Sequence, residues 1–389
     1  MGLLQILLEN HYLMADIAAA DPEAAGGDWL DYMKPLAMLA EAGGTLREDE
    51  RAEAVKFITD RLPLVAHTSD WKAMRMALSD LHGLDDFLVT GENWRALDES
   101  VRQRYADRPA WHREILERAG VETLFWCYDE PELEGPCRSV FTLSGFCDGR
   151  RGDVSSRNEL VEAFSNWLTG RISALKPVAL KIGTAYSRPI FFESRTGRDV
   201  DEALSSMEPA QLLSENRVVH DFLHHLAADA CAELSLPIQI HTGHLAGNIF
   251  ENSLTATYAA LLETFVAMHP ETRFDIFHGS FPQWGEALVL ARHYPNVFLN
   301  LCWVPSTSQT MAASFLDAAL DAVPVNKIMW GGDAHSVEMA YGVLGQFREL
   351  LSRVLDRRSE PERLRREAAE WILWKSAAEL YDLDAPARG

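Results

Sequence analysis

Four residues of this chain pair a reactive side chain with a common setting: Lys181, His241, His278 and Asp333. Each closes a short apolar run, in "VALKIG", "PIQIHTG", "FDIFHG" and "KIMWGGD", where a strand would give way to a loop. Two imidazoles and a carboxylate form a donor set for a borderline divalent ion. Zinc suits it best, while manganese and iron would take more oxygen ligands. Lys181 beside them suits an anionic substrate group or a structural ion pair. Asp333 is open to three readings: metal ligand, general base toward a water, or N-cap of the next helix. His278 is open to a catalytic, a metal-binding or a plain core role. All the chemical readings need these side chains to converge, so the elements that carry them decide.

From residue 121 onward, β-branched and aromatic runs at 121–128, 138–143, 178–183, 237–243, 274–279, 296–303 and 327–332 alternate with segments of helical period. Leu160, Phe164, Trp167, Leu168, Ile172 and Leu175 recur at helical spacing, with Ser155 or Ser156 placed to cap the start. A second amphipathic helix is predicted over 252–268 from Leu254, Tyr258, Leu261, Leu262 and Phe265. Alternation of this kind gives parallel strands, since each crossover helix returns the chain to the same edge. The strand runs lack a period of two, as expected where helices cover the outer face. No G-x-G-x-x-G or P-loop stands at a strand-to-helix turn, which disfavours a nucleotide-binding open sheet. Polar strand ends meet on one rim in a barrel and stay apart in an open sheet. The predicted fold is therefore α/β, a TIM-like (β/α) barrel. Residues 1–120 read as a helical cap or insert, and 121–389 as the barrel with C-terminal helices.

The chain has 389 residues, 47% hydrophobic and 24% charged, enough for a large core. Lys and Arg number 36 against 58 Asp and Glu, a net charge of −22, and no basic arm is present, which excludes a nucleic-acid partner. No apolar stretch reaches the roughly 18 residues of a membrane span, and "MGLLQILLEN" lacks a basic n-region, so a cytoplasmic location and no membrane partner are expected. Five cysteines without C-x-x-C spacing give neither a disulfide framework nor a zinc knuckle. A homo-oligomer is compatible with all of this.

At "VALKIGTAYSRP", "LPIQIHTGH", "FDIFHGSFP", "WGGDAHSVEMAYG" and "AAELYDL", in that order, the chain resembles the amidohydrolase superfamily, in the branch that includes uronate isomerases. "HYLMADIAAADP" is similar to that branch's helical region. The resemblance implies that Asp333 is the strand-eight aspartate, which binds metal and takes a proton from water. It implies that His241 and His278 are the strand-five and strand-six histidines, as metal ligands or substrate contacts. Lys181 stands at the strand-four position, which binuclear members carboxylate and which here would bind substrate. Tyr186 and Arg188 would face the substrate, the Arg188 fork suiting a carboxylate.

One departure is clear. No H-x-H occurs in the chain, and the strand count is one short of eight, the first being absent. Either the sequence starts at an internal methionine, or this is a divergent member that closes its barrel differently.

Other residues carry weaker signals. Trp303 ends the sixth run and could line the pocket, and His335 could bind substrate or hold the turn. His220 and His224 have zinc-binding i, i+4 spacing but read as a solvated helix face, His244 reads as a loop residue, and His11 as surface or packing. The expected function is metal-assisted hydrolysis of a small anionic substrate, with Asp333 as proton acceptor. An aldose-ketose isomerase of uronate type, a decarboxylase and a metal-free, non-catalytic barrel are the alternatives.

Overall fold

The computed structural model describes residues 1–20, 47–127, 133, 135–245 and 252–383. Tyr128, which ends the first apolar run, and the last two residues of the 11–22 stretch lie outside the described residues. Seven strands form where the apolar runs predict them: β1 (Leu124–Trp126), β2 (Cys137–Thr142), β3 (Ala179–Ile182), β4 (Ile238–His241), β5 (Phe274–Phe277), β6 (Val297–Asn300) and β7 (Ile328–Met329). They pair in sequence order, every pair parallel, in one sheet.

Alternate strand residues serve two cores. Leu180, Ile182, Ile238, Ile240, Ile276 and Leu299 pack outward with Leu160, Phe164 and Leu168 of the helix Arg157–Leu175 and Leu223 and Ala227 of the helix Arg217–Glu233. Val140, Ala179 and Met329 pack the other way, in one cluster with Phe125, Phe298, Leu380 and Tyr381. That cluster joins β1 to β7, which only a sheet curled almost shut can do. The fold is a distorted (β/α) barrel.

No eighth strand occurs among the described residues. Just beyond β7, the Trp330 N–H donates instead to the Ile372 carbonyl of the C-terminal segment Trp371–Lys375, at 3.0 Å. A helix thus covers a sheet edge that would otherwise stay unpaired.

Ser156, not Ser155, caps the helix Arg157–Leu175, completing a capping box with Glu159. The helix predicted over 252–268 is corrected. The segment forms short 3₁₀ turns at Leu254–Ala256 and Ala259–Leu262, and only Glu263–Met268 is α-helical. Thr257 is the reason. It is fully buried, its hydroxyl donates to the Gly243 carbonyl at 2.7 Å, and its own carbonyl takes the Gly243 N–H at 2.7 Å. A residue committed to that loop cannot keep helical bonding. Gly243 has φ +69°, and a Cβ there would stand 2.2 Å from the Phe281 carbonyl oxygen. Only glycine fits the turn that follows β4.

Helices Leu3–Glu9, His11–Ala19, Glu48–Val65, Ser69–His82, Trp94–Arg104 and Arg108–Ala119 form a second apolar cluster that includes Trp303, Met339 and Val343. Gly342 lets the helix Val337–Asp356 cross Ser69–His82 closely, since a Cβ there would reach 2.0 Å from the Ala73 carbonyl oxygen. Beside this crossing the fully buried Glu338 accepts from Tyr105 Oη at 2.8 Å and Trp111 Nε1 at 3.0 Å, with His82 Nε2 at 3.4 Å. Among the described residues no helix is long and apolar enough to cross a membrane.

Candidate functional site

His241 ends β4 and His278 directly follows β5, in a left-handed turn with φ +63° at His278. Their rings meet: His278 Nε2 lies 3.1 Å from His241 Nδ1. The outer nitrogen of each ring faces a carbonyl oxygen. His278 Nδ1 stands 3.1 Å from Cys302 O, and His241 Nε2 stands 2.8 Å from His244 O. Burial pushes the His241 pKa down to about 3, with the Lys181 charge adding to it. Burial, then His241 and Lys181, hold His278 well below the ordinary histidine range. Burial favours the neutral form of both rings, and a carbonyl oxygen stands opposite the outer nitrogen of each to take its proton. A proton on each outer nitrogen would leave the inner nitrogens facing each other with lone pairs.

Asp333 joins them from the loop after β7, its Oδ2 3.5 Å from His278 Nε2 and its side chain 31% exposed. Its backbone is left-handed, with φ +44°, and Ser336 rather than Asp333 caps the following helix. The cap reading of Asp333 is thereby corrected. Trp303 stacks on His278 with ring centroids 4.0 Å apart and donates its indole N–H to the Asp333 carbonyl oxygen at 2.6 Å. The Tyr186 ring lies 4.6 Å from that of His241. Lys181, near the end of β3, rests its Nζ 3.2 Å above the Phe277 ring, and this buried nitrogen has no hydrogen-bond partner among the described residues. The ion-pair reading of Lys181 finds no partner among the described residues.

Two predicted substrate contacts sit differently. Arg188 donates through Nη2 to Asp221 at 2.8 Å and through Nε to His220 at 3.1 Å, so its fork is engaged by the helix Arg217–Glu233. His335 stacks on His11 at 4.5 Å. Burial, reinforced by His335, pushes the His11 pKa down to about 4.

The solvated-face reading of His220 and His224 is wrong, for both are buried. His220 accepts from Arg188, His224 Nε2 meets Thr184 Oγ1 at 2.8 Å, and the His224 ring stacks on Phe192 at 4.0 Å. Both His224 nitrogens are thus engaged, the second by the His220 carbonyl at 2.7 Å.

Tyr12 was not singled out by the sequence. It descends from the helix His11–Ala19 onto His244 at 5.2 Å and Trp303 at 4.8 Å, and its buried hydroxyl has no hydrogen-bond partner among the described residues. Cys302 is the other omission: its Sγ is 3.3 Å from His278 Nδ1, and burial holds it as a thiol, its pKa well above the ordinary value. No disulfide joins the described cysteines.

Ligands about 2.0–2.1 Å from a tetrahedral zinc stand roughly 3.3 Å from one another. The 3.1 Å and 3.5 Å separations around His278 Nε2 bracket that value, so His278 Nε2 could share a divalent ion with His241 Nδ1 or with Asp333 Oδ2. His278, Cys302 and Asp333 also offer ligand atoms within 4.8 Å of one another.

The amidohydrolase family model, Amidohydro_2, matches residues 208–383. Protein fluG of Emericella nidulans is 26% identical over 315 residues, 74% of this chain and 35% of that protein. This chain thus spans about a third of the length of that curated relative. A uronate isomerase from Bacillus halodurans superposes with a TM-score of 0.69 at 14% identity, covering 98% of this chain and 89% of the other. A Lactobacillus casei structure described as a metal-dependent hydrolase gives 0.65 at 16% identity, covering 82% and 86%. At such identities the two structures speak to fold alone. The family match runs from before β4 to the end of the C-terminal helices and takes in His241, His278 and Asp333, so over that stretch, a little under half of its length, the chain is similar to the amidohydrolase family.

Proposed function

We propose that this chain is a metal-dependent hydrolase acting on a small anionic substrate. One observation carries the reading: His278 Nε2 lies 3.1 Å from His241 Nδ1 and 3.5 Å from an Asp333 carboxylate oxygen, while a carbonyl oxygen opposite each outer nitrogen leaves the inner ones to present lone pairs. Lone pairs so placed repel unless a cation lies among them. His241, His278 and Asp333 would hold it. A bound divalent ion would supply Lewis-acid chemistry, lowering the pKa of a water and polarising a carbonyl.

The chain's own groups do the rest. Asp333, partly exposed at the rim, accepts the proton of the attacking water at a carboxylate oxygen and returns it to the leaving group. Lys181 binds the anionic group of the substrate, since its buried ammonium gains a partner by doing so. Tyr186 and Trp303 shape the walls. Arg188, held by Asp221, fixes the loop that carries Tyr186.

The second reading is a uronate-type isomerase, with Asp333 shuttling a proton between adjacent carbons. It is favoured by the 98% coverage of this chain by the uronate isomerase fold, helical N-terminal region included. Elemental analysis followed by assay separates the readings. The hydrolase reading expects a transition metal and metal-dependent cleavage within a panel of anionic amides and esters. Ketose formed from glucuronate, with no cleavage, would move the assignment to the isomerase. A protein that stays metal-free after zinc or manganese is added would be a non-catalytic barrel.

A further inference from the structure

The polar residues that fill the lower barrel form a connected column ending at His278. Tyr381, from the C-terminal "AAELYDL" segment, enters the barrel floor, where its ring packs 4.5 Å from Phe125. Its hydroxyl donates to Asp275 Oδ2 and accepts from Gln239 Nε2 at 3.0 Å. Asp275, on β5, is fully buried. The same Oδ2 takes Asn300 Nδ2 at 3.1 Å, which fixes how that amide is turned. Asn300 Oδ1 is left to accept the Cys302 N–H at 3.1 Å, and the Cys302 carbonyl faces His278 Nδ1 at 3.1 Å.

The corner that Asn300 holds carries much of the site. Trp303, the next residue, is left-handed with φ +64° and supplies the ring under His278 and the donor to the Asp333 carbonyl. Gly331, two residues before Asp333, also packs on this amide: a Cβ there would lie 2.7 Å from Asn300 Oδ1. A flipped Asn300 amide would turn its NH2 toward the Cys302 N–H, donor against donor, and loosen that corner.

We infer that Asp275 is a positioning residue, which locks the Asn300 amide and through the Cys302 corner holds His278 as its Nδ1–H tautomer with Nε2 free for a ligand. This rests on the reading of His278 as an imidazole of the site. Asp275 bonds Tyr381 and Asn300 and reaches His278 through Asn300. Partners of this kind orient metal-binding histidines, and their loss typically costs about 10–100-fold in metal affinity.

The test uses metal-free protein labelled with 15N-histidine, the His278 signals being assigned by their loss in His278→Gln. Wild type should show the Nδ1–H tautomer. Asp275→Leu, close in shape but without an acceptor, should show mixed tautomers and bind zinc about 10–100-fold more weakly in competition with a chromophoric chelator. Asp275→Asn keeps an oxygen for Asn300 and should restore both. A folded Asp275→Leu protein with the wild-type tautomer and zinc affinity overturns the inference. Should Asp275→Leu not fold, Asn300→Ser breaks the same link, and an unchanged tautomer there overturns it equally. If wild type takes up no zinc, the metal reading fails separately, and the tautomer alone decides whether Asp275 positions His278.

Discussion

Trp303 lies nearly flat against His278, with ring planes 17° apart, while its indole N–H reaches the Asp333 carbonyl oxygen at 2.6 Å. One side chain, just beyond β6, thus ties the residue after β5 to the loop after β7. Trp303→Phe keeps an aromatic ring and removes the donor. It should cost about 1–3 kcal/mol, the usual penalty for leaving a screened carbonyl unpaired. Urea unfolding reads this directly, and an unchanged midpoint would show the bond to be idle.

The buried Tyr12 hydroxyl has no hydrogen-bond partner among the described residues. Such a group lowers stability unless something else uses it, and a substrate at the rim is the obvious user. Tyr12→Phe should raise stability by about 1 kcal/mol and still lower kcat in whichever assay detects turnover. A stabilised variant with full activity would assign Tyr12 to packing alone.

Glu338 fastens the N-terminal helices to the helix that follows Asp333. Burial by itself would push its carboxyl up, yet the bonds from His82, Trp111 and Tyr105 hold it below the ordinary range. Glu338→Ala strips three buried donors of their acceptor and should cost about 3–5 kcal/mol. A loss under about 1 kcal/mol would mean that water replaces the carboxylate there.

Stability should fall in mild acid. Burial, then Arg188, pushes the His220 pKa down to about 3, and burial, then His220, holds His224 well below the ordinary value. Their folded values lie below the unfolded one. The stability they contribute is therefore complete above about pH 6.5 and declines below it, by up to about 1.4 kcal/mol per pH unit for each histidine. Asp275 works in the opposite sense. Burial pushes its carboxyl up to about 6, so protonation favours the folded chain as the pH falls from 6 toward 4. His220→Gln, whose carbonyl can still accept from Arg188, should flatten the decline between pH 7 and 5. Parallel pH curves for variant and wild type would contradict this.

Much of the barrel was legible because its evidence is local. Unalternated apolar runs mark strands covered on both faces, and the polar groups at 181, 241, 278 and 333 fall where those runs end. What the sequence hid depends on distant partners. Thr257 breaks a predicted helix because Gly243 claims both its hydroxyl and its carbonyl. His220 and His224 read as a wet face because Thr184, Arg188 and Phe192, which cover them, belong to a loop some thirty residues earlier. The Arg188 fork looked free for the same reason. Tyr12 carries no local signal, since nothing in a helix reveals that it will dock over Trp303.

Zinc stoichiometry by elemental analysis after dialysis is the most direct measurement, made on wild type and on a folded variant carrying both His278→Gln and Asp333→Asn. The expected result is about one ion per wild-type chain and little in the variant, with both equally stable in the metal-free state. Equal zinc in the two proteins, or none in wild type under zinc saturation, would mean that these side chains meet for another purpose.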